Sequence, residues 1–168
     1  MTNNVPISNR LFQIARQYSE ALQIHLADRL ITVGLYGSVA RNEATSFSDI
    51  DLLLIIEGLP RGRFARMDLL EPVNDKIEPF LERLREESIF SDICPILKTP
   101  EEAKRPTPLY LDMVEDLQIL YDRENFFFDI LNLVRDSLKK LGARRQRLGS
   151  FRYWELKPDY KPGEIFEI

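Results

Sequence analysis

One cysteine, Cys94, and one histidine, His25, are all that 168 residues hold of the side chains that most often staple or metal-clamp a small protein. A lone thiol excludes an internal disulfide framework and suits a reducing compartment, and a lone imidazole excludes a histidine-built zinc site. A basic surplus is missing as well. The formal charge of -4 opposes the coating of nucleic acid or of a membrane surface, since the mean field repels both polyanions. No apolar run is long enough to span a bilayer, and the N-terminal stretch MTNNVPISNR lacks the apolar core of a signal peptide. The expected location is cytoplasmic, with no membrane partner. Internal repeats, low-complexity tracts and long linkers are absent too. What is present, 44% hydrophobic residues, suffices for the core of one compact domain.

Helical spacing of Leu11, Ile14, Ala15, Tyr18, Leu22 and Leu26 predicts an amphipathic first helix within 8–30, capped by Ser8 or Asn9. Residues 30–35 read as a buried strand ending in Tyr-Gly-Ser, and 39–43 leave room for one short helix. The run 50–56 is too continuously apolar for a solvent-facing strand. A helical pattern then runs to about Glu87 in two pieces, broken or kinked at Pro72 or Pro79. A third strand is expected over 89–97 with Asp92 in it. Pro95 has no N–H to give a ladder and belongs on an edge or at a bulge. Thr99 and Thr107, each followed by proline, read as starts of further helices. Residues 118–121 suit a short strand or a helix end, and 124–141 a long helix stopped by Gly142.

The informative stretch is GSVARNEATSFSDIDLLLII, residues 37–56. Side chains at i and i+2 of a strand share a face, so Asp49 and Asp51 present their carboxylates together while Ile50 turns away. Like charges held that close repel, and hard paired oxygens suit Mg2+ or Mn2+. A strand-entry turn rich in Ser and Asp is the plainer reading of SDID alone. Its context adds to it: Gly37 lets backbone approach an anion, the amides and hydroxyl at Ser38 can hold a phosphate, and Arg41 adds a cation one turn on.

Together these residues resemble the signature of the DNA polymerase beta superfamily of nucleotidyltransferases: Gly-Ser, a spacer of about ten residues, then Asp-x-Asp in a hydrophobic strand. The minimal nucleotidyltransferase branch is the most similar. Its Gly-Ser-x-Ala-Arg-x-Glu-Ala and Ser-Asp-Ile-Asp-Leu are matched at Gly37, Ser38, Ala40, Arg41, Glu43, Ala44, Ser48, Asp49, Ile50, Asp51 and Leu52. The resemblance implies an α+β fold: a mixed β-sheet with helices packed on one face and a C-terminal helical extension, residues 1–141 forming the nucleotidyltransferase domain. It also implies transfer of a nucleoside monophosphate from an NTP, with ATP the expected one, to an acceptor hydroxyl. Asp49 and Asp51 would hold divalent metal and Gly37 and Ser38 the phosphates, helped by Arg41. A third acid on a later strand is the family's rule, and Asp92 in IFSDICPILK is the best-placed candidate. Glu86 and Glu87 suit a solvated helix end, and Asp112 an exposed or capping position.

The acceptor is left open, since the superfamily uses aminoglycosides, protein hydroxyls and RNA ends. The alternative function is that of an antitoxin-like partner of a small helical toxin, acting by complex formation or by modifying it, and homo- or hetero-oligomers are compatible with either. Cys94 and Phe126 to Phe128 read as core residues, and His25 as a surface residue. The tail 142–168, basic and aromatic, is expected to be irregular, with room for short extended pieces, and packed on the same domain. Its cations and rings fit either single-stranded nucleic acid or, the reading preferred, closure of the core by Tyr153 and Trp154 with the cations solvated or paired to acids.

Overall fold

The structure, a computed structural model, describes residues 5–149, 151–161 and 164–165. Parts of the tail expectation, Pro162 among them, lie outside the described residues. Helix α1 (Ile7–Leu26) carries the apolar stripe read from its spacing, and Leu11, Ala15, Tyr18 and Leu22 are fully buried. Each of the two leucines contributes about 1.5–3 kcal/mol on burial. Strand β1 (Leu30–Tyr36), helix α2 (Gly37–Ala40) and strand β2 (Ile50–Ile56) follow, then α3 (Arg63–Asp68) and α4 (Glu71–Glu86). The helical break falls before Pro72, which sits in the first turn of α4, while Pro79 lies inside that helix. Next come β3 (Ile93–Lys98), α5 (Pro100–Ala103), α6 (Pro108–Asp116), β4 (Gln118–Asp122) and α7 (Phe126–Leu141). The chain then forms β5 (Arg144–Leu148) and β6 (Phe151–Glu155).

Four strands form one mixed sheet in the order β3-β2-β1-β4, with β1 antiparallel to both β2 and β4, and β2 parallel to β3. The parallel pair is bridged by α3 and α4, as a crossover requires. Pro95 takes its expected place because β3 is an edge strand. Alternation along β2 divides the core. Ile50, Leu52, Leu54 and Ile56 pack with α1 and α4 on one face, while Leu53 and Ile55, with Ile31 of β1, pack against Tyr110, Met113, Phe127 and Leu131 of α6 and α7. Helices on one face therefore account for half of the fold. The C-terminal extension covers the other, because both faces of β2 are apolar and water must be kept from each.

Three local readings need correction. The first helix stops at Leu26, and Ser8 lies inside it rather than capping it: its Oγ accepts from the Ala44 amide at 3.0 Å. Asp92 precedes β3 instead of lying in it. Within the tail, residues 144–148 and 151–155 are regular rather than irregular: these short extended pieces pair as a β5–β6 hairpin, with Arg145 opposite Trp154 and Arg147 opposite Arg152. The capping reading at Thr99 holds, since Thr99 Oγ1 accepts from the Glu102 amide and Glu102 returns the bond to the Thr99 amide. Phe127 is fully buried, edge-on to Tyr110 at 5.1 Å, whereas Phe128 is partly exposed. No helix among the described residues is long and apolar enough to cross a membrane.

Candidate functional site

Asp51 opens β2 opposite Tyr36 on one side and Cys94 on the other. It shares a sheet face with Leu53, so the site lies at the end of the face that the C-terminal elements cover. Immediately beside it the chain turns from β1 into α2 through Gly37, at φ +75°. A Cβ on Gly37 would lie 2.1 Å from Asp51 Oδ2, so the glycine makes room for that carboxylate. The phosphate role expected of Gly37 is a separate matter. This closeness is a constraint that spacing alone did not show.

Burial raises the Asp51 carboxyl above its ordinary value, the charge of Asp49 adds to the rise, and Arg41 opposes it. The charge of Asp49 thus reaches Asp51, as the Asp-x-Asp spacing predicts. Asp49 Oδ1 accepts from the Asp92 amide at 3.2 Å, while the Ile50 amide donates to the Asp92 carbonyl at 2.9 Å, so the mouths of β2 and β3 are pinned together. Tyr36 is pushed up to about 12, by burial first and then by Asp51 and Cys94. Cys94 is exposed rather than in the core. It sits beside Asp49 and Asp51, and burial followed by Asp49 raises its thiol. Cys94 pairs with Asp51 on an edge strand, whose open side leaves the thiol to solvent.

Asp92 is brought to this mouth by its backbone, but its carboxylate turns to Arg85 at 3.0 Å and stays 72% exposed. Among the described residues, no three His, Cys, Asp or Glu side chains are gathered closely enough to hold a metal. The pair Asp49 and Asp51 still suits Mg2+ or Mn2+: the donors are hard oxygens, one is desolvated, and their repulsion is relieved by a cation. Two further cavities, about 1020 Å³ beside α1 and α4 and about 810 Å³ beside α7, lie away from the carboxylates. Chemistry and not cavity size locates the site, since neither cavity is lined by Gly37, Ser38, Arg41, Asp49 or Asp51.

The loop between α2 and β2 is tied down on several sides. Glu43 N donates to Ser38 O at 2.8 Å, and Gln118 Nε2 of β4 donates to Ala40 O at 2.5 Å. Phe47 stacks on Phe90 with ring centroids 5.8 Å apart, and the Phe90 amide donates to Ser46 O at 2.7 Å. Both rings are exposed beside the carboxylates, Phe47 by 75%. Arg41 is engaged rather than free: its Nε donates to Glu43 at 3.0 Å and its Nη1 stands 3.5 Å from Asp116. Asp116 in turn takes a two-pronged contact from Arg145, at 2.7 and 2.5 Å, and Glu43 accepts a single hydrogen bond from Arg152 Nη2. Asp112 accepts from Trp154 Nε1 at 3.2 Å, and Trp154 packs against the second core. The preferred reading of the tail is met at Trp154 and in these paired cations, while Tyr153 stays exposed. Spacing carried no signal for Asp116, Arg145 or Arg152, which meet the motif loop only through folding.

A carboxylate pair at the mouth of a central strand, set against a glycine-serine turn on a mixed sheet, defines a class of group-transfer enzyme that handles nucleotides. The chain belongs to the nucleotidyltransferase family: the model of the nucleotidyltransferase domain matches residues 16–120. It is a nucleotidyltransferase, as the motif implies. A curated relative from Methanocaldococcus jannaschii, named "Putative protein adenylyltransferase MJ1305", is 31% identical over 133 residues, 78% of this chain and 85% of the relative. Among solved structures, a toxin-antitoxin with AMP-PNP aligns over 76% of this chain and 92% of its own, at 14% identity and a TM-score of 0.47. A complex of a tri-AMPylated HEPN toxin of Shewanella oneidensis with an MNT antitoxin aligns over 79% and 92%, at 13% identity and a TM-score of 0.44.

Proposed function

We propose that the chain transfers adenylate from ATP to a hydroxyl of a protein acceptor at the mouth of β2. The observation that carries the reading is the close packing of the Asp51 carboxylate, two residues from Asp49, against the Gly37 turn. Asp49 and Asp51 are the residues that would hold divalent metal, which when bound supplies charge neutralisation at the transferring phosphate. Gly37 and Ser38 steady the phosphates from the β1 side, and Arg41 adds a guanidinium. On the β3 side, the exposed Asp92 carboxylate takes the proton of the acceptor hydroxyl. The acceptor oxygen bonds to the α-phosphorus, the bond from that phosphorus to the α,β-bridging oxygen breaks, and pyrophosphate leaves. A protein acceptor is favoured by the name of the M. jannaschii relative and by the net charge of -4, which opposes an RNA strand.

The test uses ATP labelled at the α- or the γ-phosphate, Mg2+ and a cell extract resolved into protein and RNA. The α label is expected in protein and the γ label in neither fraction. Asp51→Asn is expected to lower incorporation by about 100-fold or more. Incorporation of the γ label would show phosphoryl transfer and overturn the proposal, as would full activity of Asp51→Asn.

A further inference from the structure

Five charged side chains from four parts of the chain alternate in sign beside the carboxylate pair: Arg152, Glu43, Arg41, Asp116 and Arg145. Arg152 holds Glu43, Glu43 holds Arg41 at 3.0 Å, Arg41 reaches Asp116 at 3.5 Å, and Asp116 is gripped by Arg145 at 2.5 Å. Both outer arginines belong to the β5–β6 hairpin, one on each strand, so the hairpin closes the series at both ends. The inner members are on α6 and on the motif loop. The hairpin lies beyond the residues 16–120 that the family model matches.

Asp112 stands 3.5 Å from Arg145 as well, so three guanidiniums face three carboxylates and the array is balanced. Arg41 is the member that joins the motif turn: it ends α2, and its amide donates to Gly37 O at 3.3 Å. Left alone, a long arginine side chain would sample many rotamers. Held between Glu43 and Asp116, each fixed in turn by a hairpin arginine, it loses that freedom before any ligand arrives, which is how preorganisation raises affinity.

We propose that the C-terminal hairpin is a working part of the nucleotide site, with Arg152 and Arg145 acting as positioning residues that aim Arg41 at the triphosphate. The role rests on the reading of this site as an ATP site. Arg152 acts through Glu43 and Arg145 through Asp116, and neither needs to touch the nucleotide.

The experiment is a double-mutant cycle on the full chain, measuring by calorimetry the binding of Mg2+ with α,β-methylene-ATP, whose α–β bridge cannot be cleaved. Arg152→Ala is expected to weaken binding about 5- to 10-fold with Arg41 present, and less than about twofold in the Arg41→Ala background. Arg152→Lys, which keeps the charge on Glu43, is expected to recover part of the loss. Glu43→Gln cuts the same series without touching the hairpin and guards against an Arg152 variant that fails to fold. Equal losses with and without Arg41, or native binding by both Arg152→Ala and Glu43→Gln, would overturn the positioning role alone. No binding by the native chain would overturn the ATP-site reading and this role with it.

Discussion

Gly37 and Asp51 meet across the mouths of β1 and β2 with no space for one more carbon: a Cβ on the glycine would stand 2.1 Å from the carboxylate oxygen. The same residue holds φ +75°, where an L side chain costs about 1–2 kcal/mol. Gly37→Ala must therefore move either the turn or Asp51. Transfer is expected to fall by about 100-fold or more, with the melting temperature lowered by a few degrees and the circular dichroism spectrum native. Retention of full activity would show that the contact is not a constraint.

Asp51 also sets a trade between stability and function. Its carboxyl is raised from 3.8, first by burial and then by Asp49. A raised acid favours its protonated form in the folded state, so the stability it contributes is full below its ordinary value and is lost as pH rises through the folded one. Asp51→Asn removes that cost at neutral pH. Without metal, the variant is expected to melt about 1–4 °C above the native chain at pH 7, with the gap closing below pH 3.8. A lower melting temperature would contradict this.

At Glu102 the sign is reversed. Arg66, at 2.8 Å on both carboxylate oxygens, and the Thr99 amide hold this carboxyl down at about 2, from an ordinary 4.5. The stability of its ionised form is complete above pH 4.5 and is lost as pH falls from there toward 2. Glu102→Gln is expected to flatten the acid limb of a plot of stability against pH in that window, with little change in transfer activity. An acid limb as steep as the native one would show that the pair contributes nothing.

How much was legible differs from element to element. The β2 run, the apolar stripe of α1 and the Thr99 capping box were readable because each is decided within a few neighbouring residues, by side-chain period or by a local hydrogen bond. Cys94 lies in an apolar segment, which spells core in the sequence, and only the edge position of β3 opens its face to water. Local chemistry allows Ser8 to be a cap. Its actual partner, Ala44, is distant in sequence and close only after α1 packs.

The sequence by itself determined the family, the Asp49 and Asp51 pair and the strand that begins between them at Ile50, because periodicity and short-range sterics act along the chain. Tertiary structure alone decided that Asp92 turns to Arg85, that the second helical layer covers the face bearing Asp51, and that the hairpin arginines reach Glu43 and Asp116. Ion pairs between residues far apart in sequence have no periodicity to announce them. Their partners are chosen by which surfaces the buried core brings together.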